Sequence, residues 1–198
     1  SDIAREAGAL ALKSYRGAFE QWEKSPGNPV SEVDLAVDRF LKDELKRLDP
    51  DAGWLSEETA DNAERLMRPR VWVVDPIDGT RSFITGNPLF GMLLGRVVAG
   101  VPQIGIVRMP ALGETFAGMA GGGATLNGAA IRCRTTTRLD GALVYINEAE
   151  KIHAADPARF ARLCGIGHTR RMAYDCYPHA LVAAGQIDAV VDCGLQPY

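Results

Sequence analysis

Four consecutive apolar residues, Val71-Trp72-Val73-Val74, run without interruption into Asp75-Pro76-Ile77-Asp78-Gly79-Thr80. No other stretch constrains the fold as tightly. The apolar run follows Pro69 and reads as a short strand that must be covered on both faces. The six residues after it are turn formers. Pro76 fixes its own φ and restricts Asp75, and Gly79 permits a positive φ or a close backbone approach. The strand therefore ends in a stiff turn carrying two carboxylates three residues apart. Two such carboxylates are acceptor-rich and suit a hard cation such as Mg²⁺.

The chain around this strand is patterned for layers. A helix is expected from Asp2 to about Trp22, because Ile3, Ala7, Leu10, Ala11 and Ser14 recur at helical spacing. Lys24–Pro29 reads as a loop broken by Pro26, Gly27 and Pro29. A second helix is expected from about Ser31 to Leu48, with Ser31 as N-cap and Asp34 completing a weak capping box. Strands follow at Leu89–Val98, Val101–Val107, Thr115–Met119 and Ala142–Ile146, with Asn127-Gly128 as a hairpin turn. Asp156–Leu163 and Cys176–Ala184 read as helices, and Ala189–Val191 as a last strand. Two helices, then a run of strands, then mixed elements argue for a layered α/β (α+β) architecture with antiparallel pairs. The Arg- and Thr-rich stretch Arg132–Arg138 is the best boundary, dividing residues 1–134 from 135–198.

Composition excludes several classes of function. The 198 residues are 46% apolar and 24% charged, which is globular rather than disordered. A net charge of −3 provides no general attraction for nucleic acid and no basic patch for a membrane surface. No apolar run reaches the ~18 residues of a membrane span, and the early charges Asp2, Arg5 and Glu6 do not open like a signal segment. Cys133, Cys164, Cys176 and Cys193 form no CxxC pair, so buried free thiols in a reducing cytoplasm are expected. His153, His168 and His179 lack ligand spacing, which leaves no zinc site.

A second acidic pair, Glu57-Glu58, lies eighteen residues before Asp75, after the short apolar segment Gly53-Trp54-Leu55 and Ser56. If Trp54–Ser56 is a strand beside Val71–Val74, Glu57 and Asp75 leave neighbouring strand ends together. Converging carboxylates raise one another's pKa unless a cation neutralises them, and metal binding resolves the conflict. On pattern alone two bland readings stand beside this one. Ser56 with Glu57, Glu58 and Thr59 also reads as a helix cap with acids in the first turn, and the Asp-Pro segment as an ordinary surface turn.

Trp72–Thr80, Ser56-Glu57-Glu58 and Val30-Ser31-Glu32-Val33-Asp34 together resemble the motifs of the inositol monophosphatase family, the Mg²⁺-dependent, lithium-sensitive phosphatases. Asn127-Gly128 and Asp188–Asp192 fall in family order, so the resemblance spans about Ala7 to Tyr198. It implies alternating helix and sheet layers (an αβαβα sandwich) with a truncated C-terminal subdomain. It also implies Mg²⁺ as cofactor, in about two or three ions. Glu57, Asp75, Asp78 and the Ile77 carbonyl are then expected as metal ligands, with Glu58 as an acid behind them. Thr80 is expected to orient the attacking water with Asp34, and the Gly79 and Thr80 N–H groups to hold the phosphate. Lys24 steers phosphate or is simply solvated.

Arg81–Gly91, Met109–Glu114, Tyr174-Asp175-Cys176-Tyr177 and Gly194–Tyr198 are similar to the family's histidinol-phosphatase branch, although Ala173 and Tyr174 replace a small Gly pair. The favoured reaction is thus hydrolysis of histidinol phosphate by metal-activated water. Asp175 and Asp192 are the expected substrate-binding acids, matched to a cationic leaving group; Asp175 reads equally as a helix N-cap. Inositol phosphate, or another sugar or nucleotide phosphate, is the alternative substrate, and a non-catalytic binding module the alternative class. The expected partner is a small phosphorylated metabolite, with no nucleic acid or membrane, in a homodimer. The resemblance also places a further acidic ligand directly after Tyr198, so this polypeptide is expected to be weakly active or inactive.

Overall fold

The computed structural model describes residues 1–198. Its first helix, α1, is Asp2–Leu12, a full turn and more shorter than the helical spacing suggested. Beyond it Tyr15 turns inward: its ring lies 5.8 Å from Phe83 and 5.1 Å from Phe90, and its hydroxyl donates to the Gly86 carbonyl at 2.6 Å. Arg16 takes a φ of 61°, which ends the helix. Trp22 lies instead in a strand, β1 (Gln21–Ser25), which pairs antiparallel with β2 (Asn28–Ser31). The expected Lys24–Pro29 loop is this hairpin. Its Pro residue is tolerated because β1 and β2 form an isolated two-stranded ribbon with open edges.

Helix α2 (Glu32–Leu48) starts as predicted: Ser31 accepts from Val33 and Asp34, and Asp34 reaches back to Ser31 in a complete capping box. Val33, Val37, Leu41 and Leu45 of α2 pack with Ala4, Ala7 and Ala11 of α1 over one face of a seven-stranded sheet. That sheet is β3 (Gly53–Ser56), β4 (Arg70–Asp78), β5 (Gly91–Val98), β6 (Val101–Met109), β7 (Glu114–Met119), β8 (Gly123–Leu126) and β9 (Ala129–Ile131), in sequence order. Only β3 and β4 are parallel, with Ser56 opposite Val74; every other pair is antiparallel. A short helix, α3 (Thr80–Ile84), follows β4 directly. Asn127 and Gly128 take φ of 50° and 84°, the double left-handed turn their sequence predicted.

A second sheet has three parallel strands in the order β11 (Thr169–Met172), β10 (Leu143–Ile146), β12 (Ala189–Val191). The crossover from β10 to β11 runs through α4 (Ala149–Ala155) and α5 (Pro157–Leu163), and that from β11 to β12 through α6 (Tyr177–Ala183). The two crossovers step in opposite directions, so the right-handed rule puts α4–α5 and α6 on opposite faces. Helix α6 also meets the large sheet, with Met109, Phe116, Cys176 and Ala180 packed together. The layers therefore run helices, large sheet, α6, small sheet, helices. Sequence reading missed α4 and β11, and Asp156 caps α5 rather than belonging to it. No helix is long and apolar enough to cross a membrane. The four cysteines are free, as expected, but only Cys176 is buried, and Cys133 is exposed.

The far end of the large sheet is tied by Asp49, which accepts from Arg70 at 2.8 and 2.9 Å and from Arg96 at 2.8 Å. The two guanidinium groups hold its carboxyl down to about 2. A depressed carboxylate stabilises the fold above its unfolded pKa of about 3.9 and loses that contribution as pH falls toward the folded value. Asp49→Asn is therefore expected to lower the melting temperature at pH 6, with the gap to wild type closing between pH 4 and 2. A gap that stays constant over that range in thermal scans would show that the ion pairs contribute nothing.

Candidate functional site

The parallel register carries the chain from Ser56 and from Val74 to the same edge, so Glu57 and Asp75 emerge side by side; the Glu57 N–H donates to the Val74 carbonyl at 3.3 Å. Asp75 and Asp78 are an odd number of residues apart, and a regular strand would point them to opposite faces. The β4–β5 ladder slips here: Asp75 pairs with Leu93, but Asp78 with Gly91. This extra residue re-aims the strand end. Ile77 turns into the core beneath α1 and α2, while Asp75 and Asp78 both line a cleft of about 970 Å³ with Glu57, Gly79, Thr80, Asp175 and Asp192.

Electrostatics in the cleft are unbalanced. Asp75 is 5% exposed and its Oδ1 has no hydrogen-bond partner. Burial, then the Asp78 and Glu57 charges, push its carboxyl well above the ordinary range. Asp78 is also raised by burial, although its Oδ2 accepts from the Cys176 N–H. Lys24, on β1, donates to Glu57 at 3.0 Å and to both Glu58 oxygens at 2.9 and 3.0 Å. Burial opposes its charge, but these two acids outweigh it and raise its pKa. Glu58 is raised by burial despite that partner. Lys24 is thus engaged as the cation between the two glutamates, with its side chain still 26% exposed at the rim. Drawn toward it on one side and toward Cys176 on the other, the acids leave no three donors gathered as a ready-made cage. Neither glutamate begins a helix, which removes the capping alternative for Ser56–Thr59.

Asp34 is fully buried. Its Oδ2 accepts from the Ser31 N–H at 2.8 Å and from the Ser31 hydroxyl, and its Oδ1 from the Thr80 hydroxyl at 2.9 Å. The first-turn acid of a capping box is therefore also the partner of Thr80, forty-six residues away. Burial raises its pKa against those hydrogen bonds. Gly79 takes a φ of 82°, and a Cβ there would lie 2.6 Å from the Asp175 carboxylate, so only glycine fits.

Asp175 reaches the cleft from the second sheet. It is no N-cap: it takes a φ of 57° and accepts from the Ser82 hydroxyl at 3.0 Å. Burial, then the Asp78 charge, push its carboxyl up to about 6. Asp192 faces His179 Nε2 at 2.9 Å and accepts from Asn147 Nδ2 at 2.8 Å; the same amide donates to the Asp175 carbonyl at 2.9 Å. Asn147, Glu148, Lys151 and His179 escaped sequence reading. Asn147 and Glu148 follow an apolar strand directly, the same signal that marked Asp75. His179 lies one helical turn after Asp175. A second cavity of about 380 Å³, between α1, α2 and the sheet, is lined by no acidic, basic or histidine side chain.

An oxygen-only donor set with an orphaned, buried carboxylate oxygen and a lysine ammonium standing between two glutamates suits a hard divalent cation. Comparison with known proteins agrees with this chemistry. A histidinol-phosphatase from Chlorobaculum parvum is 32% identical over 204 residues, covering 100% of this chain and 76% of the relative. The bifunctional phosphatase IMPL2, chloroplastic, of Arabidopsis thaliana is 31% identical, and the chain spans 99% of itself but only 57% of that protein. Among solved structures, an IMPase from Thermotoga maritima superposes with a TM-score of 0.87 at 28% identity, over 99% of this chain and 75% of that one. The sequence profile of the inositol monophosphatase family matches residues 1–198. With the profile matched end to end and the layered fold shared, this chain belongs to the inositol monophosphatase family.

Proposed function

We propose that the protein hydrolyses a small phosphate monoester in a Mg²⁺-dependent reaction, with histidinol phosphate as the favoured substrate. The observation that carries the reading is that Glu57, Asp75 and Asp78 line one cleft with Thr80, whose hydroxyl is bonded to the buried Asp34. Under it, Glu57, Asp75, Asp78 and the Ile77 carbonyl hold Mg²⁺, which supplies charge neutralisation and Lewis-acid polarisation of the phosphoryl group. Glu58 keeps Lys24 at the rim. The N–H groups of Gly79 and Thr80 hold phosphate oxygens, and Thr80 orients the attacking water and passes its proton toward Asp34. Positioning and charge stabilisation supply most of the acceleration in phosphoryl transfer.

The substrate assignment rests on the wall of the cleft that carries Glu148, Asp175 and Asp192 together with Arg81, Lys151 and His179: Lys151 pairs with Glu148 and His179 with Asp192, which leaves Asp175 as the acid with no ion-pair partner. Such a wall favours an alcohol that carries a positive charge. Phosphate release from histidinol phosphate and inositol 1-phosphate, each with Mg²⁺ and with chelator, tests both levels. The expected result is Mg²⁺-dependent release, faster for histidinol phosphate. Faster release from inositol 1-phosphate would reassign the substrate. No release from any monoester by a Mg²⁺-binding protein would leave a binding module.

A further inference from the structure

Asp38 has no part in the chemistry above, yet it is a buried acid, 5% exposed, in the same helix face as Asp34 and one turn further along α2. Its two oxygens are both taken. Oδ1 accepts from the Ser56 hydroxyl at 2.5 Å, and Oδ2 from the Thr59 hydroxyl at 2.6 Å. Those two residues flank Glu57 and Glu58. The Ser56 oxygen in turn accepts from the Glu58 N–H at 3.3 Å. The segment has no helix or strand of its own to hold it, so these bonds and the Glu57–Val74 backbone bond set its course.

We infer that Asp38 is a positioning residue that brackets the Glu57-Glu58 segment and sets where those acids stand relative to Asp75. The reasoning is geometric. Residues four apart on a helix are stacked on one face at ~5–6 Å. Asp34 grips Thr80 after β4, and Asp38 grips the loop after β3. One rigid helix thereby holds both acid-bearing strand ends at a fixed spacing. Lys24 joins the two glutamate side chains but does not anchor their backbone, which the hydroxyl bonds to Asp38 do. A buried carboxylate satisfied by two hydroxyl donors is a stiff joint, since charge-assisted hydrogen bonds are short and strong. The inference rests on the Mg²⁺ phosphatase reading for its purpose, though not for its geometry.

The test uses Asp38→Ala and Thr59→Val. The second keeps the side-chain shape and removes one strand of the bracket, so it remains informative if the first fails to fold. Two readouts are taken on the whole protein: hydrogen exchange of a peptide covering residues 56–60, and Mg²⁺ affinity by calorimetry. Faster exchange confined to that peptide is expected, together with Mg²⁺ binding weakened about 10-fold or more for Asp38→Ala and severalfold for Thr59→Val, the usual range for partners that orient metal ligands. A merely structural role would lower the melting temperature and leave Mg²⁺ affinity in place, and that result overturns the inference. So does unchanged exchange in both variants. If the wild-type protein binds Mg²⁺ and hydrolyses nothing, the phosphatase reading falls and the bracket stands or falls on the same two readouts.

Discussion

Asp75→Asn is expected to stabilise the metal-free protein while removing its catalysis. The wild-type carboxylate is buried, one oxygen lacks a partner, and Asp78 and Glu57 add to the cost of its charge. An amide of the same shape carries no charge, and its NH₂ donates to the neighbouring Glu57. Relief of a buried unsatisfied polar group is about 1–3 kcal/mol, or roughly 2–12 °C in melting temperature for a chain of this size. Hydrolysis should fall about 10³-fold or more, since charge stabilisation of the transition state is the largest contribution to such reactions. Thermal scans in chelator and in Mg²⁺ separate the two effects. Mg²⁺ should raise the melting temperature of wild type and leave that of the variant where it is, because a ligand stabilises only the state that binds it. If Asp75→Asn retains near-normal turnover, or still gains stability from Mg²⁺, Asp75 does not hold the ion.

That opposition between stability and function explains which parts of the molecule were legible from sequence. The core followed the rules of local consistency. The capping box at Ser31 and Asp34, the apolar strand at Val71–Val74 and the Asn127-Gly128 turn each satisfy local and global demands at once. The acids at Glu57, Asp75 and Asp78 stood out through the family motifs that carry them; on pattern alone, carboxylates at strand ends suggest a compensating ligand but read equally as a cap and a surface turn. What escaped depended on distance. Tyr15 leaves its helix to pack on Phe83 and Phe90, more than sixty residues away, and no local pattern records that. Asp38 reads as one more polar residue of an amphipathic helix until Ser56 and Thr59 arrive beside it. Asn147 ties Asp175 to Asp192 across two crossovers of the small sheet. The bulge between Asp75 and Asp78, which puts both on one side, is likewise a property of the pairing with β5 rather than of either residue.

Thr80→Val should lower kcat by about 10²–10⁴-fold, the usual contribution of a positioned proton-transfer group, with KM and Mg²⁺ affinity little changed. The hydroxyl proton has two acceptors, Asp34 Oδ1 at 2.9 Å and the Ile77 carbonyl at 3.2 Å. Either way the Thr80 oxygen keeps lone pairs open to a water in the cleft, and with the first acceptor it can pass the proton inward as the water attacks. Valine keeps the volume and removes both abilities. Asp34→Asn breaks the same relay from the other end. Ser31 presents an N–H and a hydroxyl to one side of the Asp34 carboxylate, so the amide must turn its oxygen there and its NH₂ toward Thr80. The threonine then accepts from that amide and keeps only the Ile77 carbonyl as an acceptor for its own proton, so the route to Asp34 is closed. Residues that act as one unit lose their effect together. The double variant is therefore expected to be no slower than the worse single one, while Thr80→Ser, which retains the hydroxyl, stays within about tenfold of wild type. Effects that multiply in the double variant would show that Thr80 and Asp34 act separately, and a Thr80→Val enzyme with ordinary kcat would remove both from the proton path.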